Sequence, residues 1–323
     1  MSGEPHPVER QFSSEDDDFH FDELGDGWWA TETAWFSFHH PERRLGGWLY
    51  TMVRPNIGTV AGGIWIWDET ATLPWEVPYY TNYSALEFPR DSSLRDIALP
   101  TGVRLRTIKP ATTYALSAQD GERLSLDLTF DAVMAPQPLG TGTTFGTAQH
   151  YDQFGRVTGE LVLHGERIEI DCIAMRDRTW SSRRPEDRPR KAAYVTGAVR
   201  GGDAFLAVTA GKSDEDPVVH GFLTRDGHTS RLVSGLRTVE RDQQSGAIVS
   251  IAMEGVDSDG REFRADGTPR SQIVVNRHTF IDVNSLVEWT IDGQTGWGED
   301  QDMWPVHTWS AARRAARTSP DGA

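Results

Sequence analysis

Two short runs hold the residue types that move protons. The first is His150-Tyr151-Asp152-Gln153 and the second is Arg176-Asp177-Arg178-Thr179-Trp180. Together they carry an imidazole, a phenol, carboxylates and guanidinium groups. Such a set suits general acid–base chemistry, because burial and neighbouring charge can bring a carboxyl or imidazole pKa toward neutrality. The same residues fit a plainer reading, a solvated hairpin end whose Arg–Asp pairs carry little energy.

Whether the two runs meet depends on the chain between them. Ile168, Ile170 and Cys172 alternate with Arg167, Glu169 and Asp171, the period of two that a half-buried strand requires. Residues 156–163 and 167–175 read as hairpin arms about His164-Gly165. A hairpin returns to its start, so both runs belong at the same end of one sheet. The alternation breaks at Arg176, which puts the second run at a strand end, where it can face the mouth of a cavity.

Two further clusters invite a chemical reading. Gly296-Trp297-Gly298-Glu299-Asp300 lies near Trp304 and His307. Its glycines allow close backbone approach beside a Trp–Glu pair, or it is a loop around a packed Trp. Glu32, Trp35, His39 and His40 sit in the opening strand. Their spacing matches no established ligand motif, so no metal is expected. There is no G-x-S-x-G elbow for Ser–His–Asp hydrolysis. There is also no G-x-G-x-x-G after a strand, no P-loop and no C-x-x-C, which speaks against nucleotide folds and structural zinc.

Composition bounds the rest. A chain of 323 residues makes one or two domains with real cores. Mean hydropathy is −0.50, and no run approaches the roughly 20 apolar residues that cross a bilayer. Residues 1–22 are polar and acidic with no apolar h-region, so they read as a disordered acidic tail rather than a secretory signal. The one cysteine, Cys172, excludes an intramolecular disulfide and reads as a buried structural thiol. The expected setting is cytoplasmic. A formal charge of −16 opposes binding to nucleic acid and to anionic membranes. The 12 tryptophans are unusual, with Trp28, Trp29, Trp35, Trp48, Trp65, Trp67 and Trp75 close together. Dense aromatics make a core, or the walls of a pocket for a flat or greasy ligand.

The remaining pattern is a series of short strands and turns. Asp120-Gly121 is a hairpin signal between 112–118 and 123–133. Residues 68–100, with Pro74, Pro78, Pro89 and Pro100, read as a long irregular lid or edge. Residues 136–148 read as a connector between domains at 23–140 and 141–323, and only 310–318 reads as helix. The chain is therefore all-β and antiparallel, and such chains manage their edges by closing into barrels or sandwiches.

At this level the chain resembles the hydroxyneurosporene synthase (carotenoid 1,2-hydratase)/AttH-like superfamily, nearest to its uncharacterised bacterial members. The resemblance rests on 150–159 and on Arg176-Asp177-Arg178-Thr179-Trp180, with Trp35-Phe36-Ser37-Phe38, Gly46-Gly47, Arg54-Pro55-Asn56 and Trp297-Gly298-Glu299 in matching places. Relatives carry His where this chain has Arg178, and Gly where it has Ser181. The resemblance implies two lipocalin-like antiparallel β-barrels, closed or half-open, packed together. It also implies cofactor-independent hydration, cyclisation or pericyclic closure of a hydrophobic isoprenoid, polyketide or aromatic molecule. On that basis Asp177 is the expected acid/base, His150 or Tyr151 its proton partner and Arg176 an oxyanion stabiliser. Trp180, Trp35, Arg54, Glu32, Trp297 and Glu299 are the expected substrate contacts. A non-catalytic carrier of a hydrophobic ligand would use the same fold and pocket.

Overall fold

The computed structural model describes residues 11–139, 149–184, 190–277 and 280–318. Their architecture is two antiparallel β units and one C-terminal helix, α1 (Val306–Thr318).

The first unit is a 12-stranded sheet. Its long strands are β1 (Ala30–His40), β2 (Leu45–Arg54), β3 (Thr59–Trp67), β7 (Val103–Lys109), β8 (Thr113–Asp120), β9 (Leu124–Ala132), β11 (Gln149–Leu163) and β12 (Glu166–Ser182). Short strands β4 (Tyr79–Tyr80), β5 (Tyr83–Glu87), β6 (Asp96–Ala98) and β10 (Gln137–Pro138) trim its edges. The spatial order is β4-β3-β2-β1-β12-β11-β9-β8-β7-β6. The sheet curls into a half-open barrel: Ile66 and Tyr79 from one edge share a core with Ile97 and Leu105 from the other. Tyr79 also donates to Asp120 across the gap at 2.8 Å.

The second unit is a closed eight-stranded barrel. It comprises β13 (Lys191–Val199), β14 (Ala204–Gly211), β15 (Glu215–Arg225), β16 (His228–Arg241), β17 (Ile248–Asp257), β18 (Glu262–Arg277), β19 (Phe280–Ile291) and β20 (Gln294–Pro305). Barrel closure leaves no open edge. Val195, Phe205, Met253 and Trp289 fill the interior. A charged knot lies beside them, in which Arg237 donates to Asp300 at 2.6 Å and Lys191 pairs with Asp216.

Sheet membership changes between Ser182 and Lys191, later than the 136–148 stretch expected to divide the chain. Residues 140–148 of that stretch lie outside the described residues. The strands on either side of it belong to one sheet, since Gly155 of β11 pairs with Ala132 of β9. The longest hairpin, β11–β12, therefore completes the first unit.

The expected disordered tail is also different where it is described; residues 1–10 are not. Residues 14–17 form a 3-10 turn that enters the concave side of the first sheet and buries Asp16 and Asp17. Asp17 accepts from Tyr114 at 2.6 Å and from Arg176 at 3.2 Å. Phe12 packs 4.8 Å from the Tyr151 ring, and His20 stacks on Trp180 at 3.8 Å. The acidic run that looked like a solvated tail places Asp17 on the buried Arg176 of β12. Removing one partner of a buried pair leaves an uncompensated charge. Asp17→Ala should therefore lower the unfolding free energy by about 3 kcal/mol or more, read by urea denaturation. A loss below about 1 kcal/mol would mean the plug detaches freely.

Glycine serves packing in β2. A Cβ on Gly46 would lie 2.5 Å from the Trp67 ring, and one on Gly47 2.1 Å from Phe38. The pair makes room for those rings.

Candidate active site between the sheet and the barrel

The run 176–182 is strand, where the broken alternation suggested a strand end. The cause is burial on both faces: the plug covers one side of β12 and the barrel the other. A strand covered on both sides has no polar face to show in its sequence. The hairpin register does bring the two proton-moving runs together, with His150 opposite Thr179 and Asp152 opposite Asp177.

Alternation then sorts them onto two faces. Tyr151, Arg176, Arg178 and Trp180 point to the concave side. There Arg178 donates to Glu32 at 2.8 Å, Trp180 donates to Glu23 at 2.8 Å, and Arg176 lies 4.0 Å over the Tyr114 ring. Tyr151, Arg176, Trp180 and Glu32, expected at the site, are thus committed to holding the plug. Arg178 belongs to this same network.

His150, Asp152, Asp177 and Thr179 point the other way, toward the barrel. The two units pack there through one apolar cluster, with Trp48, Phe154 and Met175 from the sheet and Tyr194, Phe222 and Ile273 from the barrel. A cleft of about 220 Å³ opens at this junction. Trp29, Trp35, Trp48, Tyr50 and Met52 form its sheet wall. Tyr194, Phe280 and Met303 form its barrel wall, and His150, Asp177, Thr179, Arg54, Arg183 and Arg277 are its polar lining.

The acid–base groups interlock. His150 Nε2 lies 2.9 Å from Asp152 Oδ1, and its Nδ1 lies 2.6 Å from Thr179 Oγ1. Tyr194 donates to the same Asp152 oxygen. Asp177 Oδ1 and Asp152 Oδ2 are sealed from solvent without a hydrogen-bond partner. Burial is the main force on Asp177 and, with the charge of Asp152, pushes its pKa up to about 6 against the pull of His150, Arg183 and Arg277. Burial pulls His150 down, but Asp152 and then Asp177 outweigh it, so the imidazole sits above its ordinary value. Near neutral pH the cleft therefore presents a carboxylate at Asp177 beside an imidazole at His150 that holds its proton more tightly than a free one. The donor atoms of His150, Asp152 and Asp177 lie within 4.8 Å of one another. A divalent ion would have to displace the bonds that already engage both His150 nitrogens, so proton handling is the better use of this set.

Of the expected contacts, Asp177, His150, Trp35 and Arg54 line the cleft. Glu299 lies outside that lining: buried between the units, it accepts from Trp48 Nε1 at 2.6 Å, and burial raises its pKa to about 8. Trp297 is half-buried, its ring 6.2 Å from that of His39. Burial lowers His39 to about 4, so it is neutral packing. Asp300 faces the barrel knot, Trp304 donates to Asp302 at 2.7 Å, and His307 is exposed on α1. Cys172 is buried and pushed up to about 12 by desolvation, as an inert thiol should be. Tyr194, Arg183 and Arg277 were missed. They come from separate strands and linkers, and only the packing of barrel on sheet brings them to one place.

The family model described as Domain of unknown function (DUF7064) matches residues 13–305. No curated protein matches the chain. Among solved structures it is similar to a putative AttH from Nitrosomonas europaea, at 15% identity and TM-score 0.51 over 91% of this chain and 97% of that one. It is similar to kievitone hydratase from Nectria haematococca, at 10% identity and TM-score 0.54 over 95% and 98%. It is also similar to CghA, solved with Sch210972, at 13% identity and TM-score 0.52 over 85% and 88%. These likenesses show a shared tandem lipocalin-like fold. Among the described residues no helix is long and apolar enough to cross a membrane.

Proposed function

From the premise that the chain belongs to the DUF7064 family and has the AttH-like tandem lipocalin fold, we propose that it is an acid–base enzyme of the hydratase or lyase type acting on a small aromatic molecule in the cleft. The observation that carries this reading is that Asp177, its pKa raised by burial, lines an aromatic-walled cleft next to the His150–Asp152 pair. One structural neighbour is named a hydratase, which favours addition or removal of water.

The chemistry balances with these groups. As water oxygen bonds one alkene carbon, the Asp177 carboxylate takes the proton that water releases. The neighbouring carbon takes a proton from Thr179 Oγ1, which is resupplied by His150 Nδ1–H at 2.6 Å. Asp177 then returns its proton to His150 through solvent. Elimination runs the same transfers backwards. Tyr194 and Asp152 hold the imidazole in place. The alternative is a carrier, favoured by the same aromatic walls, which would release its ligand unchanged.

Native mass spectrometry of the purified protein, with extraction of what co-purifies, separates the two. Incubation that changes the compound by the mass of water supports the enzyme; recovery of unchanged compound after long incubation supports the carrier. For the enzyme, kcat/KM should rise through about pH 6 as Asp177 ionises and fall at higher pH as His150 loses its proton. A rate that is flat from about pH 5 to 9 would sink the assignment.

A further inference from the structure

We infer that the cleft is built to take a carboxylate group, so that its substrate is a small unsaturated aromatic acid held by Arg54 and Arg183. This deepens the proposed function and rests on its placement of the site, although its test does not depend on turnover.

The argument begins with charge. The chain has a formal net charge of −16, yet its cleft is lined by Arg54, Arg183, Arg184 and Arg277 against the carboxylates Asp177 and Asp282. An excess of cations focused in a cleft of an acidic protein draws anions to that cleft. Arg277 is accounted for: it donates to Asp282 at 3.0 Å and lies 4.4 Å over the Tyr50 ring. Arg54 and Arg183 are not. Among the described residues neither has a carboxylate within 4.0 Å, and the Nε of each is sealed from solvent without a hydrogen-bond partner. Arg54 rests against Trp29 at 5.0 Å, and Arg183 reaches only the Thr33 hydroxyl at 3.4 Å. Arg54, held on an aromatic face with its fork unused, and Arg183, whose fork makes one long contact, are arranged for a planar oxyanion.

A second observation comes from the cleft wall. Trp35 is 2% exposed, and its indole Nε1 is a donor with no partner. Buried donors in native proteins are nearly always satisfied, so this N–H also calls for an acceptor.

Size narrows the class. About 220 Å³ is below the span usual for drug-sized ligands. It suits a single ring with a short unsaturated acid arm, and it does not suit a long polyene or polyketide. A carboxylate held by the arginines would withdraw electrons from a conjugated double bond, and Asp177 lines the same cleft.

The test is quenching of tryptophan fluorescence, since Trp29, Trp35 and Trp48 line the cleft. The intact protein is titrated with trans-cinnamate, its neutral amide trans-cinnamamide, and phenyl phosphate. Cinnamate should bind saturably, at least about tenfold tighter than the amide, and weaken with added salt. Arg54→Gln and Arg183→Gln should each weaken cinnamate about tenfold or more and leave the amide unchanged. Arg54→Lys should recover part of the loss, and thermal unfolding confirms that each variant is folded. Asp177→Asn should still bind cinnamate, so a failed reaction and a failed anion site are told apart. Equal binding of acid and amide, no saturable binding of either, or unchanged affinity in folded arginine variants overturns the inference. Tighter binding of phenyl phosphate than of cinnamate overturns the choice of carboxylate.

Discussion

Asp177→Asn lowers turnover by about 10²- to 10⁴-fold, the usual worth of a positioned general base, and does so without lowering the melting temperature. The two halves of this result come from one geometry. Asparagine keeps the shape of the side chain, and the Oδ1 atom of Asp177 has no hydrogen-bond partner to lose. The carboxylate is buried enough that its pKa rises from 3.8 to about 6. A raised carboxyl pKa means that the protonated form is favoured by folding. Its contribution is fully present below the unfolded value and is lost as pH rises through the folded one. A rise of about two units is worth about 3 kcal/mol at most above pH 6. Removing the charge should therefore leave stability unchanged at pH 4 and raise it at pH 8. Differential scanning calorimetry at both pH values, beside the rate assay, reads both halves. A variant that is inactive and also less stable at pH 8 would show Asp177 to be structural. A fully active variant would remove it from the mechanism.

Glu299→Gln should give the largest shift in stability and none in the pH of the rising activity limb. Glu299 is 3% exposed, between the barrel and the sheet, and accepts from Trp48 Nε1. Burial lifts its pKa from 4.5 to about 8, while the bonds from Trp48 and Ser37 pull it down. Below about pH 4.5 the carboxyl is neutral in both folded and unfolded chains. Between about 4.5 and 8 only the unfolded chain releases the proton, so stability falls with each unit of pH. Above about pH 8 the loss is complete, at about 5 kcal/mol for a shift of this size. Glutamine is neutral throughout and still offers Trp48 an oxygen. Variant and wild type should unfold alike at pH 4.5 and diverge steadily to pH 8.5, the variant being the more stable. Parallel urea curves at both pH values would refute the burial argument.

Much of the fold was legible because strand alternation and turn residues are local signals. The hairpin 149–182 and its register could be read from Ile168, Ile170 and Cys172 with His164-Gly165, and this alone put His150 and Asp152 beside Asp177. What local signals do not carry is which face a residue takes once both faces are covered. Arg176, Arg178 and Trp180 look, in sequence, like partners of Asp177, yet alternation turns them to the opposite side. The plug misled for a related reason. Its acids read as solvated because Arg176, which neutralises Asp17, and Arg178, which donates to the Asp18 carbonyl, lie some 160 positions away in the chain. Arg183 and Arg277 were invisible because their shared location exists only after the barrel docks.

The plug and β12 also set an order of events during synthesis. Ala30 pairs with Ser182, and Asp17 needs Arg176, so the first unit cannot close until β12 has left the ribosome. Until then β1 lacks the neighbour that will cover its outer flank. Such distant pairings are slow to form, and uncovered strand edges invite association with other nascent chains. The barrel, whose first strand pairs with its last at Ala192 and Met303, must wait until β20 has been made. The N-terminal segment therefore acts as a late latch, made first and fastened only when β12 supplies Arg176.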